Sequence, residues 1–460
     1  MSLIVYMKKF RCLYISNILL FFPVLIFAQS SADTSAAVVT LQQSIDFALR
    51  NQPGLKQSYI DEQINERDIR IGLAGWLPQV GSTGQYQHYF QRPAVVAGGT
   101  STGTGTGGTG TSQQNLAIAH NVSSVGLQAS QVIYNSDVLL ASKASKYSRQ
   151  YYKENTQSTK IDVVADVSKA FYDVLLSQRQ LDIIKEDIIR LRRSLKDAYS
   201  RYQAGVVDKT DYKQATISLN NSLASLKQTQ EAIKSKSAYL KQVMGLNPDK
   251  AVVLQYDSAR LQNDAIIDTN QTLSYTNRIE YQLLSTQKNL DNLNVSYYKW
   301  NFLPSLSAVG AYSLSYFNDS FSKLYNNGYP TSYAGLTLSL PIFQGGRRLQ
   351  NLSKARLQVE RTDLDLINSR NTINTEYTQA LAGYKSNYTN WVILKENVEL
   401  AKDVYKVVDL QYREVIKTYL DVIVSQSDLR TAELNYYNAL FQLLSSKIDL
   451  QRALGILPVE

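Results

Sequence analysis

The stretch Phe302-Leu303-Pro304-Ser305-Leu306-Ser307-Ala308-Val309-Gly310-Ala311-Tyr312-Ser313-Leu314-Ser315-Tyr316-Phe317 changes the period of the chain. In it Leu306, Ala308, Gly310, Tyr312, Leu314 and Tyr316 alternate with a mostly small or polar set that includes Ser305, Ser307, Ser313 and Ser315. A period of two sends successive side chains to opposite faces, so this is a strand with one apolar face. A second run, Tyr333 to Ile342, sets Ala334, Leu336, Leu338, Leu340 and Ile342 against Tyr333, Gly335, Thr337 and Ser339. The turn-forming Asn318 to Pro330 lies between them, and residues 305–343 read as a hairpin.

The same junction occurs earlier in the chain. Asn51 to Pro78 matches Asn277 to Pro304 at an offset of 226, with Leu77-Pro78 against Leu303-Pro304. Gly126 and Ile133-Tyr134 match Gly335 and Ile342-Phe343 at 209, and from Tyr202 onward the offset is 210. A repeat so long is no solenoid unit of roughly 20–50 residues. It reads as a duplicated half-structure, residues 29–250 and 272–460, with 251–271 as linker. The first hairpin, 79–134, has strands at Val80 to Phe90 and about Leu116 to Tyr134. The drop from 226 to 209 gives copy one 17 extra residues, where the Gly/Thr tract 98–110 sits.

Around the hairpins the period is 3.5. Leu181, Ile184, Ile188, Leu191, Leu195, Ala198 and Tyr202 step by three and four. Leu219, Leu226, Ile233 and Leu240 recur every seven. That spacing belongs to supercoiled helices packed side by side. Neither Ser136 to Tyr202 nor Arg347 to Tyr412 contains proline, so each can be one helix of ~65 residues, ~100 Å long. Each half then reads helix, strand, loop, strand, long helix, tight turn, helix, with the turns near Gly205 and Val415.

The N-terminus has a basic start, Lys8, Lys9 and Arg11, then an apolar run from Leu13 to Phe27 and a small Ala28. Residues 1–28 are expected to be an export signal. Cys12, the one cysteine, lies inside it, so cleavage leaves no thiol or disulfide. Losing those three cations lowers the net charge from +9 to +6. The surplus is scattered, which argues against a nucleic-acid partner. No apolar stretch of ~20 residues remains for a membrane helix, whereas barrel strands give a weaker hydropathy signal. Four strands do not close a barrel, and unpaired backbone groups in lipid each cost several kcal/mol. If these strands sit in lipid, several protomers must therefore share one barrel.

This order of elements resembles the TolC-like outer-membrane efflux protein family over nearly the whole mature chain. The resemblance rests on Trp76-Leu77-Pro78-Gln79-Val80 and Phe302-Leu303-Pro304-Ser305-Leu306 at helix-to-strand junctions. Pro341-Ile342-Phe343-Gln344-Gly345-Gly346-Arg347 marks the strand-to-helix return, and Arg201-Tyr202-Gln203-Ala204-Gly205-Val206-Val207 and Tyr419-Leu420-Asp421-Val422 stand at the helical turns. It implies a mainly α protein with a transmembrane β part: a homotrimer whose long coiled-coil barrel continues into a 12-stranded β-barrel in the outer membrane. The helical tube would cross the periplasm and meet a periplasmic adaptor, and through it an inner-membrane pump. The resemblance implies a passive duct that is not an enzyme, needs no cofactor or metal, and touches outer-membrane lipid. Its cargo would be small molecules or drugs; a type I protein-secretion channel is the alternative.

The resemblance also assigns the tip. Thr210, Asp211, Tyr412, Lys417 and Asp421 match positions that hold and line a closed periplasmic gate. Gly205, Val206, Val207, Val415 and Ile416 fall at the adaptor-contact turns. Asp211 is expected to accept a hydrogen bond from the Tyr412 hydroxyl, and Lys417 to reach the Thr210 hydroxyl or backbone carbonyls nearby. Lys417 replaces an arginine of some relatives, so a bidentate fork is lost. Val415 stands where copy one has Gly205, which questions a shared turn geometry. Val424 replaces a second acid, leaving Asp421 alone in the ring.

Other constellations carry less. Gly103-x-Gly105-x-x-Gly108 fits a dinucleotide fingerprint by letters but precedes a strand-like segment, so it reads as a surface loop. His88 and His120, the only histidines, lack a third ligand. Tyr86, Tyr89, Tyr312, Tyr316 and Tyr333 read as an interfacial belt. The reading from another class is an exported coiled-coil rod without a pore, which has no use for two amphipathic hairpins.

Overall fold

The structure, a computed structural model, describes residues 37–91, 119–255 and 258–459. The expected signal 1–28 with Cys12, the Gly/Thr tract 98–110 and the start of the second strand near Leu116 lie outside the described residues.

The first half runs β1 (Ala37–Val39), α1 (Leu41–Asn51), α2 (Pro53–Ala74), β2 (Gln79–His88), β3 (Asn121–Tyr134), α3 (Ser136–Gln203) and α4 (Lys209–Met244). After β4 (Val252–Leu254) and the short α5 (Ser258–Asp264), the second half runs α6 (Ile279–Trp300), β5 (Ser305–Asn318), β6 (Gly328–Ser339), α7 (Arg347–Arg413) and α8 (Tyr419–Leu454). Within the linker 251–271, β4 pairs in parallel with β1. Two tyrosines of α7 hold its remainder. Tyr384 donates its hydroxyl to Ala265 O and accepts from Ile267 N, both at 3.0 Å, and Tyr377 donates to Gln271 O at 3.0 Å.

The long helices are α3, of 68 residues, and α7, of 67. The Asn135 side chain caps α3, accepting from Asp137 N at 2.7 Å, and no proline interrupts either helix. Each folds back through a short turn onto a helix of 36 residues, α4 or α8. Helix α3 also packs against α8, which joins the two coiled-coil hairpins within the protomer. The main apolar core lies near mid-rod, where Ala48, Val167, Phe171, Leu175, Leu443 and Leu444 are buried. The returning helices end alike there. Gly245 and Gly455 adopt φ +66 and +72, and a Cβ at either would meet Asn51 O or Asn277 O at 2.7 or 3.0 Å. Only glycine allows both the left-handed turn and that approach.

The strands β2, β3, β5 and β6 form one antiparallel sheet in the order β2-β3-β5-β6. Its faces differ. Gly84, Val125, Leu314 and Pro330 share a row, as do Ser82, Leu127, Tyr312 and Ser332. Ala308 pairs with Leu336 and Leu306 with Leu338 on the same side. The opposite face carries Thr83, Gly126, Ser313 and Thr331 in one row and Gln85, Ser124, Ser315 and Tyr329 in another, and is the more polar of the two. Tyr86, Tyr312 and Tyr316 stand on the apolar side. Tyr333 does not: its partner Ala311 places it on the polar face, so it cannot join a belt with them. Strands β2 and β6 are exposed along their whole length, and each leaves one edge of backbone unpaired.

Candidate functional site

The far ends of the two coiled-coil hairpins bring the sequence-assigned residues to two turns of one design. At the end of α3, Gly205 N donates to Tyr202 O at 3.0 Å and Val206 N to Arg201 O at 3.0 Å. At the end of α7, Val415 N donates to Tyr412 O at 3.1 Å and Ile416 N to Gln411 O at 2.8 Å. This crossed pair closes a helix through one left-handed residue. Gly205 has φ +71 and Val415 +62. The doubt raised by the Gly/Val difference is therefore settled against the sequence reading: the turns share their geometry, and Val415 accepts the backbone strain. It is the one non-glycine residue with positive φ among the described residues.

The helices leaving the turns begin differently. Thr418 caps α8: Asp421 N donates to Thr418 Oγ1 at 3.4 Å, while Thr418 N and its hydroxyl donate to Asp421 Oδ2 at 3.0 and 2.8 Å. The bond from the Thr418 hydroxyl, then that from its amide, holds the Asp421 carboxyl below its ordinary range. Lys417 Nζ lies 3.9 Å from Asp421 Oδ1. Asp421 is thus engaged at its own helix start. Its counterpart Asp211 follows Asp208, which makes no side-chain cap. The Thr418-x-x-Asp421 spacing is a capping signal legible in sequence, which the gate assignment passed over.

Between the hairpins sits a small core of Ala198, Ala215, Tyr412, Tyr419 and Val422. The Arg201 guanidinium lies 4.4 Å from the centre of the Tyr412 ring, and its Nη2 donates to Tyr412 O at 3.4 Å. Tyr412 and Tyr419 rings meet at 5.9 Å. Both hydroxyls are buried without a hydrogen-bond partner, so the Tyr412–Asp211 bond expected from sequence is not formed. Nor, among the described residues, does Lys417 bond Thr210, which is exposed. The physical reason is the apolar packing: it turns Tyr412 inward, only 7% exposed, onto Arg201 and Tyr419. Burial raises both tyrosine pKa values, that of Tyr419 further. Each orphan hydroxyl costs about 1–3 kcal/mol relative to a paired one. Arg201 and Tyr419 stand in motifs that sequence reading quotes, but nothing in their spacing marks them as contacts of Tyr412.

The turns present apolar side chains to solvent. Val206, Val415, Ile416, Leu420 and Val424 are all exposed, whereas Val207 is half-buried. At the other end of the rod, His88 Nδ1 meets Asn121 Oδ1 at 2.8 Å, and His120 meets Asp319. No described group of three or more His, Cys, Asp or Glu side chains is placed to hold a metal. No described helix is long and apolar enough to cross a membrane.

Comparison with known proteins fits this architecture. The chain is 23% identical over 421 residues to the probable efflux pump outer membrane protein TtgC of Pseudomonas putida, covering 90% of this chain and 82% of that one. It is 22% identical over 343 residues to outer membrane protein TolC of Vibrio cholerae, covering 73% and 77%. The solved CmeC outer membrane channel of Campylobacter jejuni superposes with a TM-score of 0.71 at 18% identity, covering 90% of this chain and 85% of that one. The profile of the outer membrane efflux proteins matches residues 44–246 and 285–456, one segment in each half. With both helical hairpins and both strand pairs falling within or beside that match, the chain belongs to the outer membrane efflux protein family, and its place is the outer membrane.

Proposed function

We propose that three copies of this chain form a passive exit duct. Each copy would give the four strands of its sheet to a shared 12-stranded barrel, and its four long helices to a tube reaching into the periplasm. The observation that carries this reading is the sheet itself: one apolar face, one polar face and two unpaired edges. Lipid tolerates no open edge, so β2 of one copy would pair with β6 of the next until the ring closes. The apolar face then meets lipid and the polar face lines water. The matching element order of the two halves supports an internally duplicated protomer, in which a duplication supplied both hairpins.

The exposed valines and isoleucine at Val206, Val415 and Ile416 suit a partner that covers the turns, and an adaptor joined to an inner-membrane pump fits there. The seam at Tyr412, Tyr419 and Arg201 is the gate. The Pseudomonas relative is named as part of an efflux pump, and small molecules are the cargo this reading favours. The test is oligomeric mass in detergent together with single-channel conductance of the mature protein. A trimer with small, steady conductance is expected. A monomer or dimer that never inserts would replace the duct with a rod.

A further inference from the structure

Well above the turns, a carboxylate is buried where three helices meet. Asp187 on α3 is 2% exposed. Its Oδ1 accepts from Gln426 Nε2 of α8 at 2.8 Å, and its Oδ2 from Ser222 Oγ of α4 at 2.8 Å. Arg430 Nη1 of α8 lies 3.4 Å from Oδ2 and donates to Ser222 Oγ at 3.1 Å. Arg190 sits 4.0 Å from both Asp187 and Glu433. A charge so deeply buried is tolerated only when its partners stay in place, because parting them leaves it uncompensated.

The seam between the two hairpins is thus unequal along its length. Above Asp187 it continues through the Gln180–Asn438 hydrogen bond at 3.1 Å into the main core. Below Asp187, among the described residues, one hydrogen bond crosses it, from Arg201 to Tyr412 O at 3.4 Å, beside the small core that carries two orphan hydroxyls. Parting the hairpins at Asp187 would strand a buried charge. Parting them at the turns would let Tyr412 and Tyr419 reach water.

We propose that Asp187, held by Gln426, Ser222 and Arg430, is the fulcrum about which the α7–α8 hairpin swings when the tip opens; this rests on the gated-duct reading above. Asp187 is a positioning residue, acting on the gate through the helices it ties. It lies 18 residues before Gly205, so the lever below it is ~27 Å long, and a rotation of ~10° would move the tip by ~5 Å.

The experiment places spin labels in mature trimers diluted with unlabelled chains. One pair, Val206→Cys with Ile416→Cys, reports the tip; the other, Asp173→Cys with Gln442→Cys, reports the seam above the fulcrum. In an Arg201→Ala background the tip pair should lengthen and the upper pair stay fixed. Adding Asp187→Leu should lengthen the upper pair too. Should that variant fail to fold, Asp187→Asn serves: the unpartnered Gln426 Oε1 lets the amide turn and bond the new NH2, so the losses are the ion pairs with Arg430 and Arg190 and the 3.4 Å bond from Gln426 Nε2 to Asp187 O. A smaller lengthening of the upper pair is expected there. An upper pair that moves with the tip while Asp187 is intact, or stays fixed in the folded Asp187 variants, overturns the fulcrum and leaves the gate standing. A tip pair that never moves, in a trimer without conductance, overturns the gate and the fulcrum with it.

Discussion

Val415 copies the backbone of Gly205: φ is +62 at one and +71 at the other, and each turn is closed by the same pair of crossed hydrogen bonds. A β-branched side chain in the left-handed region costs roughly 1–2 kcal/mol, and Val415 recovers little of this by packing because it is 69% exposed. The strain of this turn is therefore carried by the lone chain without compensation from packing.

Replacing Val415 by Gly or Asn should therefore stabilise the isolated turn, by up to about 1 kcal/mol once the extra freedom of unfolded glycine is counted. Amide hydrogen exchange at Ile416 and Lys417 should slow in either variant. Faster exchange would show that the valine side chain holds the turn after all.

Tyr412→Phe should tighten the tip, the reverse of what a gate bond to Asp211 would predict. The hydroxyl is buried without a partner, so its removal lifts a penalty of about 1–3 kcal/mol without breaking a bond. Arg201→Ala should act the other way by losing a cation–π contact of about 0.5–2 kcal/mol. Conductance should fall in Tyr412→Phe and rise in Arg201→Ala. A rise in both would restore a bonding role to the hydroxyl.

How far the sequence speaks depends on the range of the interaction. The period of Leu306 to Tyr316 is a local property of a strand, and so is the proline-free heptad run through Leu191. Both follow from residues that repeat along one element. The side of the sheet taken by Tyr333 is not legible in sequence, because aromatic character alone does not give a face; its register with Ala311 does. Val415 shows that a low propensity for the left-handed region does not exclude a residue from it. Asp187 was silent for a deeper reason. It stands beside Ile188 like any polar flank of a heptad, and only Ser222 and Gln426, 35 and 239 residues away, reveal it as buried. The gate residues were placed by resemblance, and the resemblance carried over positions without their contacts.

Gly245→Ala should be the most damaging small change at the end of a returning helix. Its φ is +66, and the new Cβ would meet Asn51 O at 2.7 Å, a distance that forces the backbone to move. Gly455→Ala meets Asn277 O at 3.0 Å and should be milder. Left-handed strain alone contributes roughly 1–2 kcal/mol in each, and the closer contact adds to it at Gly245. Thermal melts of the two variants should rank them in that order. Equal melts would mean that the α1–α2 junction at Asn51 yields freely.

Acid should loosen α8 at its first turn through Asp421. Its folded pKa is held below the ordinary value of 3.8 by the Thr418 hydroxyl and amide. A depressed carboxyl contributes stability that is fully present above the unfolded pKa and is lost as pH falls through the lower, folded value. The capping contribution should thus be complete at neutral pH and vanish only in strong acid, below 3.8. Asp421→Asn should speed exchange of the Tyr419 to Val422 amides at pH 7 and leave them like wild type once both are fully acidified. Thr418→Val, which keeps the shape but removes the hydroxyl, should raise the Asp421 pKa toward 3.8 and move the acid transition upward. An Asp421 pKa that does not change in Thr418→Val would mean that Lys417, 3.9 Å away, sets the charge state instead.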